Sequence, residues 1–335
     1  MKHFMTILFI MFSMIACNGE ESKGNESAEY QKYKTEINNK TVMELIETLP
    51  EKYTEVKLFE IKWGTGDDEL GYIPGDGACG PQGIALDTLG NIYILDYCNG
   101  AVKKYNEEGF FLEKYEDGSA FVNINYIEVS EDGRQIFAVL EGKTTNNIYI
   151  YDTKNKEGNN IYQGKEYVYK RFSHGVEILK DNISIKKYGV EREKNKEDNN
   201  YLMQYTLGKN TDKVSFVSDR FPMAQFLDKD YDRQESFPVC FIGIDSKNNY
   251  FISARYYEKS TDDNNFKEVI RVVYKYTSNM KLKAVIILER GNINYINRTI
   301  KENAKINEDG DIYYLCPKKE GAVIYKYVNA KASSK

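Results

Sequence analysis

Five times along this chain a short apolar run stops at an acidic or amide turn and a second apolar run starts at once. In the clearest copy residues 84–87 close on Asp87 and Gly90, and the chain restarts through Ile92, Tyr93, Ile94 and Leu95. The other four turn around Glu131-Asp132-Gly133, Asp181-Asn182, Lys247-Asn248-Asn249 and Glu308-Asp309-Gly310. Runs this short, rich in β-branched and aromatic residues, are strands, and Asp, Asn and Gly tolerate the backbone of tight turns. The chain is therefore built from antiparallel hairpins.

Each hairpin carries further strands. After the first one, Asn99-Gly100 turns into 101–105 and Glu107-Glu108-Gly109 turns into 110–115, so 80–115 holds four antiparallel strands. That is the make-up of one blade of a β-propeller. A lone blade leaves both faces bare, so copies must follow. They run over 123–130, 135–140 and 147–152; over 176–180, 183–188 and 201–206; over 239–245, 250–256 and 269–276; and over 304–307, 311–315 and 323–327. Residues 191–200, 228–236 and 258–267 are charged or Asn-rich insertions and read as solvated loops.

Pro81, Gly83-Ile84-Ala85, Asp87, Gly90-Asn91-Ile92-Tyr93, Asp96 and Gly109 resemble the pattern of an NHL repeat, and Trp63-Gly64-Thr65-Gly66 through Gly77 is similar to the glycine-rich link before such repeats. The resemblance implies an all-β, TolB-like β-propeller of four-stranded antiparallel blades. Such propellers commonly have six blades where five hairpins are visible here, which places a degenerate sixth in 162–172 or 219–238. The alternating run 56–61 has no hairpin partner and the last unit stops after three strands, so 56–61 is expected to complete the final blade and close the ring. Closure hides sheet edges that would otherwise invite aggregation.

The first residues suggest an address. Residues 1–16 have a short basic start and an apolar run too brief to span a bilayer, the anatomy of an export signal. Met14-Ile15-Ala16-Cys17 resembles a bacterial lipobox, which makes Cys17 the expected lipidation site. Residues 17–40 are polar and read as a flexible tether. Within 41–54, Thr41 and Glu44 have capping-box spacing, and Val42, Leu45, Ile46 and Leu49 form a helical stripe that Pro50 stops. This helix is expected to pack on one end of the propeller (55–328), and 329–335 reads as a disordered tail. These features imply a bacterial envelope protein, lipid-anchored at the outer membrane or cell surface.

In a blade, the start of the innermost strand and the loop between strands two and three share one end of the ring. That end would collect Gln82, Asp96, Tyr97, Asn99, Asn123, Asn125, His174, Glu177, Arg255 and Tyr256 as a candidate ligand-binding face. Asp96, inside the repeat pattern, doubles as a turn former. The same geometry brings Cys79 to Cys98, and Cys240 to Cys316, as candidate disulfides, the other possibility being buried thiols packed as small apolar groups.

Enzyme chemistry finds little support. After signal removal His174 is the sole histidine, which excludes a multi-histidine metal site. Asp228-Lys229-Asp230-Tyr231-Asp232 lacks the glycine and closing glutamate of an EF-hand loop. A net charge of −5 argues against nucleic acid as a partner. The sequence thus reads as a membrane-anchored binding or scaffolding module for a protein, peptide or glycan, without a cofactor. The alternative is a propeller hydrolase or lactonase with a calcium-dependent channel site drawn from Glu177 with Asn123 or Asn125.

Overall fold

The computed structural model describes residues 42–73, 80–117, 121, 124, 126–141, 145–165, 177–178, 185–192, 200–207, 213–221, 234–236, 240–259, 266–288 and 303–330, with the single positions 32 and 36. The expected export signal (1–16), the expected lipidation site Cys17, nearly all of the expected tether (17–40) and the last five residues lie outside them. Helix α1 (Val42–Thr48) and strand β1 (Tyr53–Lys62) come first. Next is a sheet of β2 (Gly83–Leu86), β3 (Ile92–Asp96), β4 (Ala101–Tyr105) and β5 (Phe111–Glu116). A second follows, of β6 (Tyr126–Val129), β7 (Gln135–Glu141), β8 (Thr145–Asp152) and β9 (Glu157–Lys165). The third contains β10 (Glu177–Ile178), β11 (Ile185–Arg192), β12 (Asn200–Leu207) and β13 (Lys213–Phe221). The fourth has β14 (Gln234–Ser236), β15 (Cys240–Ile244), β16 (Tyr250–Lys259), β17 (Phe266–Tyr276) and β18 (Leu282–Leu288). The last joins β19 (Ala304–Ile306), β20 (Ile312–Pro317) and β21 (Gly321–Asn329) to β1.

These are the antiparallel blades of a β-propeller, four of them four-stranded and the fourth with β14 added as a fifth strand, and successive residues of β3 and β20 alternate between two seams. In β3, Ile92 and Ile94 pack against the last blade while Tyr93 and Leu95 pack against the second. In β20, Ile312, Tyr314 and Cys316 face the fourth blade, and Tyr313 and Leu315 face the first. Both faces are buried, so the strand reads as a continuous apolar run rather than an alternating one.

Ring closure occurs as expected but over a longer strand. β1 starts at Tyr53, three residues before the expected 56, and pairs antiparallel with β21 from Tyr53↔Asn329 to Lys62↔Gly321, with a bulge between Lys57 and Phe59. Helix α1 inserts Leu45 beside Phe241, Met280 and Leu282 in the core of the fourth blade, and Glu51 N–H donates to Lys283 O (3.3 Å).

The described strands form five sheets among the described residues. The described parts of both segments expected to hide a sixth blade belong to these five sheets. Residues 162–165 end β9, 219–221 end β13, and 234–236 are β14, which pairs with the far end of β16. The remainder of those segments lies outside the described residues. All three expected insertions are partly strand, because β14 lies within 228–236, β16 and β17 continue their ladder to Lys259↔Phe266, and β11 runs to Arg192.

A single device fixes the turn end of three blades. Asp87 Oδ1 accepts the backbone N–H groups of Leu89 (3.0 Å) and Asn91 (2.9 Å), and Asp245 Oδ1 does the same for Lys247 (3.0 Å) and Asn249 (2.8 Å). In the last blade the residues are exchanged, with Asn307 Oδ1 accepting Asp311 N–H at 2.9 Å. A lysine on the third strand then reaches each acid: Lys104 to Asp87 (3.5 Å), Lys275 to Asp245 (3.4 Å) and Lys326 to Asp311 (3.3 Å). Each ammonium lies about 5 Å from the ring of its cross-strand partner, Tyr93, Phe251 or Tyr313. Gly90, Gly133 and Gly310 supply the positive φ that these turns need (81°, 69° and 83°), and Asn248 supplies it in the fourth blade (58°).

Candidate functional site

The end of the ring opposite these turns holds the innermost-strand starts and the second-to-third loops. At the first blade Gln82, Asp96, Tyr97 and Asn99 do come together there. Gln82 is buried and its N–H donates to Leu95 O (2.9 Å), while Tyr97 and Asn99 sit half-buried in a 3-10 turn that Gly100 ends with φ 62°.

Asp96 is not available to a ligand, which corrects the expectation above. Its carboxylate is fully buried: Oδ1 accepts Gly71 N–H (2.9 Å), and Oδ2 meets Lys103 Nζ (2.9 Å) and Asn99 Nδ2 (2.8 Å). Lys103 in turn donates to the carbonyls of Gly66 (2.8 Å) and Glu69. The ion pair clamps the glycine-rich lead-in onto the blade, because a buried charge needs partners and this loop's backbone supplies them.

The second cysteine pairing is also corrected. Cys316 is a buried thiol inside β20, packed with Ile242, Phe251 and Val323 at the seam of the fourth and last blades. It fills the strand interior as a small apolar group instead of bridging to Cys240. Cys98 is disulfide-bonded. Its expected partner Cys79 lies outside the described residues, as do Asn123, Asn125 and His174. Glu177 lies in β10 opposite Lys186, and Arg255 and Tyr256 lie in β16 opposite Arg271 and Ile270. Of these three side chains nothing is described.

Sequence reasoning missed several groups at this end. Trp63 stacks on Tyr72 with ring centroids 5.1 Å apart, and its Nε1 donates to Lys318 O (3.1 Å), which plants an aromatic platform over the seam of the first and last blades. At the neighbouring seam the Arg271 guanidinium lies 5.5 Å from the Tyr314 ring and donates to Asn303 Oδ1, while Asn303 Nδ2 donates to Leu315 O (3.0 Å).

Deeper, Lys305 on β19 meets Glu128 on β6. Their strands flank β2, so the ion pair passes the axial side of the first blade and ties together two blades that are not neighbours. The side chains are 7% and 18% exposed. Burial pushes the Glu128 carboxyl above its ordinary range, against the opposing pull of Lys305. A perturbed carboxylate in a channel is a functional candidate as well as a brace. The signal in the sequence was a charge inside an innermost strand, Glu128 in Ile127-Glu128-Val129 and Lys305 in Ala304-Lys305-Ile306.

This pair predicts a pH dependence. In Lys305→Met, Glu128 keeps its burial and loses its counter-charge, so its folded pKa rises further above the unfolded value of about 4.3. A raised carboxylate pKa means that stability is present at low pH and is lost as pH climbs from the unfolded toward the folded value. Thermal melts of Lys305→Met should therefore fall further below wild type at pH 8 than at pH 5. Adding Glu128→Gln should erase that difference, and a pH-independent deficit in the single variant would count against a buried charge.

Among the described residues no three His, Cys, Asp or Glu side chains converge as a metal-ligand set. The donors named for calcium, Asn123, Asn125 and the Glu177 side chain, are outside that description.

Residues 79–105 match the family model for the NHL repeat. No curated protein matches the chain. Among solved structures it is similar to hydrazine synthase of Kuenenia stuttgartiensis, with 12% identity and a TM-score of 0.30 over 71% of this chain and 63% of that one, less than two thirds of its length. It is also similar to streptogramin B lyase, with 10% identity and a TM-score of 0.39 over 83% of this chain and 98% of that one. A third likeness is to PQQ-bound aldose sugar dehydrogenase from Streptomyces coelicolor, with 10% identity and a TM-score of 0.40 over 84% and 99%.

Proposed function

We propose that this chain is an exported bacterial lipoprotein, acylated at Cys17, whose propeller is a binding or scaffolding module of the cell envelope for a protein, peptide or glycan. The observation that carries the address is the disulfide at Cys98, since such bonds persist in oxidising compartments outside the cytosol. It agrees with the export anatomy of residues 1–16, and Cys79 is the partner that blade geometry favours. Several acyl chains on one cysteine hold a protein on a bilayer at roughly 0.8 kcal/mol per buried CH₂. No helix of the described residues is long and apolar enough to cross a membrane.

Binding is assigned to the loop end of the ring, where the Trp63–Tyr72 stack and the Gln82, Tyr97 and Asn99 groups offer stacking and hydrogen-bonding partners. The lengthened β16–β17 ladder, with β14 alongside, elaborates the same end. Cys17→Ser tests the anchor: the variant should leave carbonate-washed membranes and lose incorporated fatty acid. Continued membrane association of that variant would remove acylation from the reading.

A second reading follows from the Glu128–Lys305 pair, a buried acid and amine beside the first blade's innermost strand that fits a hydrolase or lactonase using the acid itself; the donors expected for calcium, Glu177 with Asn123 or Asn125, are a separate set. Turnover of lactones or phosphoesters by the purified protein, abolished by Glu128→Gln, would favour it over a binding module.

A further inference from the structure

Among the described residues, the turn end of the ring carries most of the exposed large apolar side chains. Of the seven among the described residues, Met43, Val56, Leu89, Phe110 and Leu112 lie on or beside that end, and Ile73 and Ile287 do not. Leu89, in the β2–β3 turn, is 80% exposed, and Phe110, in the β4–β5 turn, is 69% exposed. These two turns adjoin, since Glu107 Oε2 comes within 3.9 Å of where a Cβ on Gly90 would stand. Gly109, beside Phe110, lies directly against Phe59 of β1. Val56, two strands' width away, faces the same rim through its partner Lys326, which bonds Glu107. Isolated surface hydrophobics are ordinary, but a rim of them gathered at one end marks an interaction surface.

The chain reaches this end from its own N-terminus. Helix α1 leads into Tyr53, the turn-end start of β1, and Glu51 is paired with Lys275 and Lys283 there. Between Cys17 and Val42 stand the 24 residues 18–41. Twenty-four residues span at most roughly 80–86 Å when fully extended, so an acylated Cys17 would keep the domain, about 19 Å in radius of gyration, close to the bilayer.

We infer that the turn end of the propeller is a membrane-facing surface, with Leu89, Phe110 and their neighbours dipping into the lipid interface. The loop end, with its aromatic platform, then points away from the bilayer toward its ligand. The inference rests on the lipid-anchor reading above. Acids (Glu108, Glu131, Asp132, Glu308, Asp309) and bases (Arg134, Lys154, Lys156, Lys247, Lys281) are intermixed across the turns with no excess of bases, so the occupant is a zwitterionic lipid surface held by apolar contact rather than an anionic one held by charge.

The sole tryptophan, Trp63, makes the test direct. In a Trp63→Phe background, Phe110→Trp, Leu89→Trp and Ile73→Trp place one fluorophore at the turn end or at the loop end, all at exposed positions. The acylated full chain in phosphatidylcholine vesicles with brominated acyl chains should show quenching several-fold stronger for a fluorophore at position 110 or 89 than for one at position 73, unchanged at high salt. Equal quenching, preferential quenching at position 73, or none at all on protein whose acylation is verified by mass spectrometry overturns the orientation. If mass spectrometry finds Cys17 unmodified, the anchor reading fails separately. The same variants tethered by an N-terminal hexahistidine tag to nickel-chelating vesicles then decide the orientation on the same readout.

Discussion

Replacing Lys103 with alanine is expected to lower the unfolding free energy by about 3–5 kcal/mol, the range for removing one partner of a buried ion pair. Its ammonium is 1% exposed and the Asp96 carboxylate is fully buried, so the variant leaves a charge with no solvent to receive it. It also deprives the Gly66 and Glu69 carbonyls of their donor and loosens the lead-in that Asp96 holds through Gly71. The double variant Asp96→Asn with Lys103→Met removes both charges together and should recover most of the loss. Urea unfolding decides the matter: a Lys103→Ala deficit below about 1 kcal/mol, the level of an exposed pair, would sink the clamp. The same pair of variants separates this role from ligand binding, since a ligand-contacting Asp96 would change affinity while leaving the unfolding midpoint in place.

What the residues disclosed in advance, and what they withheld, divides along the range of the interactions. Hairpin turns are local, so the Asp, Asn and Gly turns announced all five inner hairpins before any packing was known. The doubly buried run Ile92-Tyr93-Ile94-Leu95 told of neighbours on both faces, and β1 was legible as a strand lacking a partner opposite a blade lacking a strand. Blade number was less legible, because the described parts of the segments offered for a sixth blade, 162–165, 219–221 and 234–236, lengthen the outer strands β9 and β13 or form β14, and sequence does not distinguish a lengthened hairpin from a degenerate new one. Asp96 looked like a ligand group because its position at a strand end is right. Only the fold shows that Lys103, seven residues on, turns back beneath the lead-in to consume it. Glu128 and Lys305 lie 177 residues apart and meet because a ring places β6 and β19 on either side of β2. No spacing rule contains that fact. The Cys316 thiol was misjudged for a similar reason: lying at the end of a blade does not bring a side chain to another sulfur when the strand's pleat turns it into the seam.

A chain deprived of residues 53–62 is expected to lose the cooperative native state altogether. β1 serves two seams at once. Tyr53 packs with the fourth and last blades and donates its hydroxyl to Gly310 O (3.1 Å), while Leu58, Phe59 and Ile61 fill the seam with the first blade, where Phe59 lies 5.9 Å from the Tyr105 ring. Fully burying a large apolar side chain contributes about 1.5–3 kcal/mol, so Ile61 and the partly buried Tyr53, Leu58 and Phe59 together supply a large share of the margin of about 5–15 kcal/mol by which a domain is stable. Deletion also bares the outer edge of β21 and leaves Glu55 absent from the Tyr327 hydroxyl that donates to it at 2.7 Å. An exposed edge nine residues long is a template for intermolecular pairing. Size-exclusion chromatography with light scattering should find aggregates, and near-ultraviolet circular dichroism should find the tyrosine signal flattened. The converse experiment tightens the same joint. Thr54 and Val328 are direct cross-strand partners, so Thr54→Cys with Val328→Cys should form a disulfide that closes nearly the whole ring and raises the unfolding midpoint. A truncated protein that stays monomeric and unfolds cooperatively would mean that the blades hold one another without the N-terminal strand.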